Sequence, residues 1–198
     1  RNFGHFNGVK TVKKIVEKSV RLKIPIITFY VFSTENWKRP KSEINFLFKL
    51  IINYFKEELD KVISNGIKVN IIGKIHRLPS KIKIALKNVI KKTNKNKKII
   101  VNLAINYGSR DEIVEACKKI NNKINIQSLS KKLYTRNLPN PDILIRTGGR
   151  KRLSNFMLWQ LAYTEIYFTD KLWPDFNGRD FEKIINNFKK VKRNFGSI

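Results

Sequence analysis

Apolar positions change their spacing repeatedly along this chain, from helical to strand-like and back. From Gly8 to Leu22 the residues Val9, Val12, Ile15, Val16 and Val20 share one face of a 3.6-residue repeat, which predicts a helix. Ile24 to Val31 is dense in β-branched and aromatic residues and predicts a strand. Lys41 to Ser64 reads as a long helix, with Ser42 as its N-cap and Gly66 as its stop signal. Next come a strand at Ile67 to Ile72, a helix at Ser80 to Lys92 and a strand at Ile99 to Ile105. Gly108 opens a helix that runs to about Ile120. The remainder reads as a short helix at Ser128 to Tyr134, a strand at Asp142 to Ile145 and a short helix at Asn155 to Gln160. A strand at Glu165 to Phe168 and a last helix at Asp180 to Arg193 complete the chain. No repeat or Ser/Gly-rich linker interrupts this alternation. It predicts a single α/β domain whose mostly parallel central sheet is flanked by helices.

The long helix departs from the usual single stripe. Ile44, Phe46, Leu47, Phe48, Leu50, Ile51, Ile52, Tyr54 and Phe55 cover more than one of its faces. Such a helix must bury its second apolar face as well, as a central core helix does.

Composition narrows the class. The 198 residues are 41% hydrophobic, enough for one sizeable core and too apolar for a disordered chain. No apolar run approaches the roughly 20 residues that span a bilayer. A lone Cys117 excludes an internal disulfide, fits a reducing compartment and reads as a buried structural thiol. The formal charge of +27 invites a nucleic-acid partner. The lysines, however, are spread over every helix and no nucleic-acid-binding signature accompanies them, so a nucleic acid is not expected. Lys91 to Lys98 reads as a solvated turn. A salt-sensitive, peripheral attraction to anionic membrane is the more plausible reading of the charge.

The most informative stretch is Arg146-Thr-Gly-Gly-Arg-Lys-Arg152-Leu-Ser154-Asn155-Phe-Met-Leu-Trp159-Gln160. Arg146 falls at the C-terminal end of a short strand, where open α/β sheets gather their ligands. Two glycines allow backbone N–H groups to approach an anion, and Arg146 and Arg152 flank them with planar forks suited to phosphate oxygens. Ser154 adds a hydroxyl, and the apolar run from Phe156 reads as the helix that follows. The stretch thus reads as a diphosphate site; a plain Gly-Gly turn in a basic protein is the alternative.

Several further words join it in a set order. They are Arg1-Asn-Phe-Gly-His5, Phe32-Ser33-Thr-Glu35-Asn36-Trp37-Lys-Arg39-Pro40 and Asn106-Tyr107-Gly108-Ser-Arg110. After the Pro141 to Phe156 segment come Trp159-Gln160-Leu-Ala-Tyr163-Thr-Glu165-Ile-Tyr-Phe168 and Leu172-Trp173-Pro174-Asp175-Phe176. With these words the chain resembles the cis-prenyltransferases, most closely the undecaprenyl diphosphate synthase type, over nearly its whole length. Two departures stand out. The family's Asp-Gly-Asn-x-Arg loop and the strand before it would lie upstream of Arg1, so the sequence reads as N-terminally incomplete and, on its own, inactive. Arg150 stands where the family usually has Glu, which reverses a charge beside the diphosphate site.

The resemblance implies a transferase that condenses isopentenyl diphosphate onto an allylic diphosphate such as farnesyl diphosphate. The product would be a medium-chain, undecaprenyl-like cis-polyprenyl diphosphate. It implies allylic diphosphate binding by Arg1, His5 and Arg39, and isopentenyl diphosphate binding by Arg146, Arg152 and Ser154. Ser33 and Asn36 would act catalytically, near the reacting carbons. As an alternative, these two satisfy a loop backbone. Mg²⁺ would be held by Glu165 together with an aspartate upstream of Arg1. Glu165 would reach the neighbouring subunit of a homodimer, with Phe156 to Phe168 at or near the interface. Glu35 and Trp37 read as structural, Asp142 as a residue that orients Arg146, and His76 receives no role. Phe46, Phe48, Tyr54 and Phe55 are the candidates for the wall or floor of a prenyl tunnel. Such an enzyme would work in the cytoplasm or an organelle interior. Two other readings remain: a non-catalytic subunit of this family supporting an active partner and, remotely, a basic nucleic-acid-binding protein.

Overall fold

The computed structural model describes residues 2–121 and 123–194. Its elements alternate as the sequence patterning predicts. Helix α1 (Asn2–Arg21) leads to strand β1 (Ile26–Ser33) and a 3-10 segment, Thr34–Lys38. Helix α2 (Lys41–Ser64), β2 (Ile67–Ile72), α3 (Ser80–Thr93) and β3 (Ile99–Tyr107) follow. Then come α4 (Ser109–Cys117), α5 (Ile126–Ser130), β4 (Ile143–Arg146), β5 (Glu165–Phe168) and α6 (Gly178–Phe188). Every described strand pair is parallel, but the strands form two groups, β1-β3-β2 and β4-β5.

Strand β3 lies at the centre of the larger group and is buried along almost its whole length, which explains its near-continuous apolar sequence. Of its two buried asparagines, Asn102 and Asn106, the first pins the register. Its Nδ2 donates to Thr28 Oγ1 at 3.1 Å, and its Oδ1 accepts from Asn70 Nδ2 at 2.9 Å. Thr28 and Asn70 are its register partners on either side, so a one-residue slip of either strand would orphan a buried amide.

The main core fills one face of this sheet. Phe29, Val69, Val101 and Leu103 meet Ile15 and Val16 of α1, the inner stripe of α2, Leu86 of α3, and Phe181 and Ile185 of α6. On α2 the buried residues are Ile44, Leu47, Phe48, Ile51, Phe55, Leu59 and Val62, a single helical stripe. The second apolar face is only half covered: Phe46, Leu50, Ile52 and Tyr54 are half-buried. On the other side of the sheet, Ile72, Ala104 and Tyr107 pack against Phe156, Met157 and Leu161.

Several boundaries differ from the sequence reading for identifiable reasons. The first helix begins before Gly8, because Gly8 is an interior contact: an added Cβ would lie 3.2 Å from the Trp173 ring, whose Nε1 donates to the Gly8 carbonyl at 3.0 Å. Pro40, not Ser42, caps α2, and its carbonyl accepts from the Glu43 and Ile44 amides. Gly66 does terminate that helix, at φ +70°. No helix forms at Asn155 to Gln160; Ser154, Asn155 and Met157 adopt positive φ of 51°, 61° and 45°, which a right-handed helix excludes. Cys117 is half-buried rather than buried. No described helix is long and apolar enough to cross a membrane.

Candidate functional site

The loops that leave the C-terminal ends of β1, β3 and β4 meet. Two irregularities prepare the meeting. The register of β1 on β3 shifts between Tyr30 and Phe32 and again between Phe32 and Ser33, the signature of a bulge. The bulge turns Phe32 into the core, where its ring lies 5.1 Å from both Trp37 and Phe48. On β3, Asn106 takes φ +51°. Its Oδ1 accepts from Trp37 Nε1 at 2.8 Å, and its Nδ2 donates to the Lys74 carbonyl at 3.0 Å. Trp37 thus ties the turn after β1 to the end of β3.

One charged cluster gathers beside the Ser33–Arg39 turn. Glu43 Oε1 lies 3.2 Å from His5 Nε2 and 3.0 Å from Arg39 Nη1. The carboxylate thus joins two of the three residues expected to hold an allylic diphosphate; the third, Arg1, lies outside the described residues. Glu43 escaped the sequence reading. Its spacing of four from Arg39, in the first turn of a helix, was the available signal. In the turn itself, Asn36 Oδ1 accepts from the Ser33 amide at 3.0 Å, so this side chain satisfies loop backbone here.

A second cluster forms at the end of β4. Arg146 Nη1 donates to Ser154 Oγ at 2.8 Å, and its Nε is buried without a partner. Burial, and then the charge of nearby Arg152, lower the Arg146 pKa; among the described residues no carboxylate offsets either effect. A half-buried guanidinium beside a second arginine, with an unpartnered donor, is an environment that a bound anion would stabilise. Arg152 and Ser154 are exposed and accessible to such an anion.

The glycine pair works differently from its reading in sequence. Gly148 and Gly149 take φ of +86° and +70°, as a tight turn requires. Their N–H groups are spent on the segment after β5: Gly148 donates to the Lys171 carbonyl at 2.7 Å and Gly149 to the Thr169 carbonyl at 3.0 Å. The donors left for an anion are side chains, not this pair of amides. Arg150 is exposed at the same turn. Asp142 does not orient Arg146. It sits before β4, at the opposite end of the strand, and accepts from Arg193.

The two clusters are joined through Asn155. Its Nδ2 donates to Glu35 Oε1 at 2.8 Å, and its Oδ1 accepts from the Arg110 amide at 2.8 Å. Gly108 permits this approach, since an added Cβ would come within 2.5 Å of Thr34 Oγ1 and 2.8 Å of Asn155 Nδ2. Burial raises the Glu35 pKa, but hydrogen bonds, that from Asn155 foremost, outweigh it and leave the acid below its ordinary range.

Glu165 opens β5 as a half-buried residue. Among the described residues no group of three or more His, Cys, Asp or Glu side chains stands together to hold a metal ion. Glu43 is already engaged by His5 and Arg39. The described residues alone therefore do not assemble a Mg²⁺ site.

The family model described as undecaprenyl diphosphate synthase matches residues 1–196. The chain belongs to the cis-prenyltransferase family. This prenyltransferase is 44% identical to an isoprenyl transferase of Rickettsia typhi, over 98% of the chain and 87% of that relative. It is 42% identical to an isoprenyl transferase of Clostridium perfringens, over 100% of the chain and 82% of that relative. Among solved structures it resembles a Campylobacter jejuni protein described as an undecaprenyl diphosphate synthase. The TM-score is 0.87 at 40% identity, covering 96% of this chain and 92% of that one. It also resembles lavandulyl diphosphate synthase from Lavandula x intermedia, solved in complex with dimethylallyl diphosphate. There the TM-score is 0.94 at 32% identity, covering 99% and 89% of the two chains. The α/β architecture and the enzyme class expected of the prenyltransferase are thereby met.

Proposed function

We propose that the site condenses isopentenyl diphosphate onto an allylic prenyl diphosphate and releases a medium-chain cis-polyprenyl diphosphate. The observation that carries this reading is the Arg146 guanidinium, half-buried beside Arg152 and, among the described residues, without a carboxylate and with an unpartnered Nε. Arg146, Arg152 and Ser154 take the isopentenyl diphosphate. His5 and Arg39, oriented by Glu43, take the allylic diphosphate.

In the reaction a carbon–carbon bond forms, the allylic carbon–oxygen bond breaks, inorganic diphosphate departs and a proton is lost. Diphosphate leaves as its charge is neutralised, and fixed cations in a partly desolvated site do this at little reorganisation cost. Ser33 and Asn36 lie in the turn between the two clusters, suited to orient the reacting carbons and the proton loss. Half-buried Phe46 and Tyr54 leave apolar surface on α2 for the growing chain, each buried methylene contributing about 0.8 kcal/mol.

The reading includes Mg²⁺, with Glu165 as one contributor, and a homodimer. Ile166 and Phe168 are 40% and 41% exposed, and Tyr163 65% exposed, an apolar strip suited to a second copy. Phe156, Met157 and Leu161, from the same segment, are core residues instead and lie outside any such contact. Radiolabelled isopentenyl diphosphate with farnesyl diphosphate tests the reading. Chain-extended product that disappears on chelation supports it; label that never enters a longer prenyl chain overturns it.

A further inference from the structure

Asn155 stands where its own loop meets two others: its backbone carbonyl and Oδ1 serve the start of α4, and its Nδ2 serves the turn after β1. Its carbonyl accepts from the Ser109 amide at 2.8 Å, its Oδ1 from the Arg110 amide at 2.8 Å, and its Nδ2 donates to Glu35 at 2.8 Å. The amide orientation is fixed by this set. The Arg110 N–H can only donate, so oxygen must face it and nitrogen must face the carboxylate. Glu35, ionised, offers only acceptors and requires such a donor.

The backbone around Asn155 is costly. Ser154, Asn155 and Met157 all lie in the left-handed region. Non-glycine residues persist there when their surroundings over-determine them, and such strain gathers at functional sites. Here the strained turn is what presents Ser154 Oγ to Arg146 Nη1. Glu35 belongs to the turn that carries Ser33, Asn36 and Arg39. The Asn155–Glu35 bond is therefore a side-chain tie between the loop of one charged cluster and the turn leading to the other.

We propose that Asn155 is a positioning residue: through its 2.8 Å bond to Glu35 it fixes the Arg152–Ser154 loop relative to the Ser33–Arg39 turn, so that two bound diphosphate substrates meet in reacting geometry. The proposal rests on the condensation reading above. Neither residue needs to touch substrate. Losing the tie leaves each cluster able to bind its own anion while the two substrates lose their mutual alignment, and misplacement on the ångström scale is enough to slow a bimolecular step sharply.

The test uses a reversal of bond polarity. Asn155→Asp keeps an acceptor for the Arg110 amide and tolerates positive φ, but sets a carboxylate against Glu35. Its kcat should fall about 10- to 100-fold, the worth of one hydrogen bond to a charged group, with KM for either substrate changed by no more than about three-fold. Glu35→Gln in that background returns a donor to the opposite side of the pair and should recover most of the lost kcat. Hydrogen exchange provides the readout independent of turnover: segments 33–39 and 152–160 should both exchange faster in Asn155→Asp and both slow again in the double variant. The proposal is overturned if Asn155→Asp keeps its kcat, if the double variant regains nothing, or if the two segments respond separately. A wild-type protein that condenses nothing while the exchange pattern holds would refute the condensation reading and leave the tie standing.

Discussion

Replacing Arg146 with alanine should separate function from stability. The side chain is a half-buried cation beside Arg152, with Nη1 on an exposed serine hydroxyl and, among the described residues, Nε unpartnered and no carboxylate to orphan. Removing it leaves Ser154 to water and relieves a like-charge contact. The melting temperature of Arg146→Ala should therefore stay within a few degrees of wild type, the gain offsetting lost packing of the stem. Binding is another matter. Nη1 is committed to Ser154 and Nε is buried, so one charge-assisted bond to a phosphate oxygen is the conservative loss. At about 1.5–3 kcal/mol that is about a ten- to hundred-fold rise in KM for isopentenyl diphosphate, with the allylic KM little changed. Arg146→Lys should restore charge without the planar fork and recover only part of the loss. Steady-state kinetics varying each substrate in turn, with calorimetric melting, provides both numbers. A large drop in melting temperature with both KM values unchanged would show Arg146 to be a structural cation and refute the reasoning.

Glu43→Gln should loosen His5 and Arg39 together and raise the allylic KM about ten-fold while sparing isopentenyl diphosphate; equal effects on both substrates would contradict the assignment. On α2, Phe46→Ala and Tyr54→Ala should lengthen the product seen by chromatography, whereas Phe48→Ala and Phe55→Ala should each cost about 3–5 kcal/mol of stability, because those rings are core. Unchanged product length in both half-buried variants would remove α2 as the ruler. The Glu35 acid is held below its ordinary value of 4.5, so its contribution to stability is present above that pH and is lost as pH falls through the lower folded value. Urea midpoints of wild type and Glu35→Gln should accordingly converge on acidification below about pH 4; divergence there would show the sign to be wrong.

Periodicity was a good guide where packing obeys it. The α2 limits, β2 and β5 were legible because apolar spacing and a terminating Gly66 agree with the final contacts. The helix expected after Ser154 was not: Asn155-Phe-Met-Leu-Trp is apolar enough, yet left-handed residues stabilised by partners tens of residues away override local preference. The same distance hid Glu43 and Asn155. Glu43 meets His5, 38 residues back, and only its i,i+4 pairing with Arg39 is local; Asn155 meets Glu35, 120 residues back, and leaves no local pattern. Arg146, Arg152 and Ser154 were legible as residue types but not as geometry. The glycine amides expected to bind the anion are tied to Thr169 and Lys171, a pairing visible only once the segment after β5 is in place.

If each charged cluster binds one diphosphate, calorimetric titration of isopentenyl diphosphate into protein already saturated with unreactive farnesyl thiodiphosphate will show one further equivalent bound per chain, weakened in Arg146→Ala and unaffected by the occupied first site. No further binding, or displacement of the thiodiphosphate by isopentenyl diphosphate, would mean that both ligands share one cluster and would contradict it.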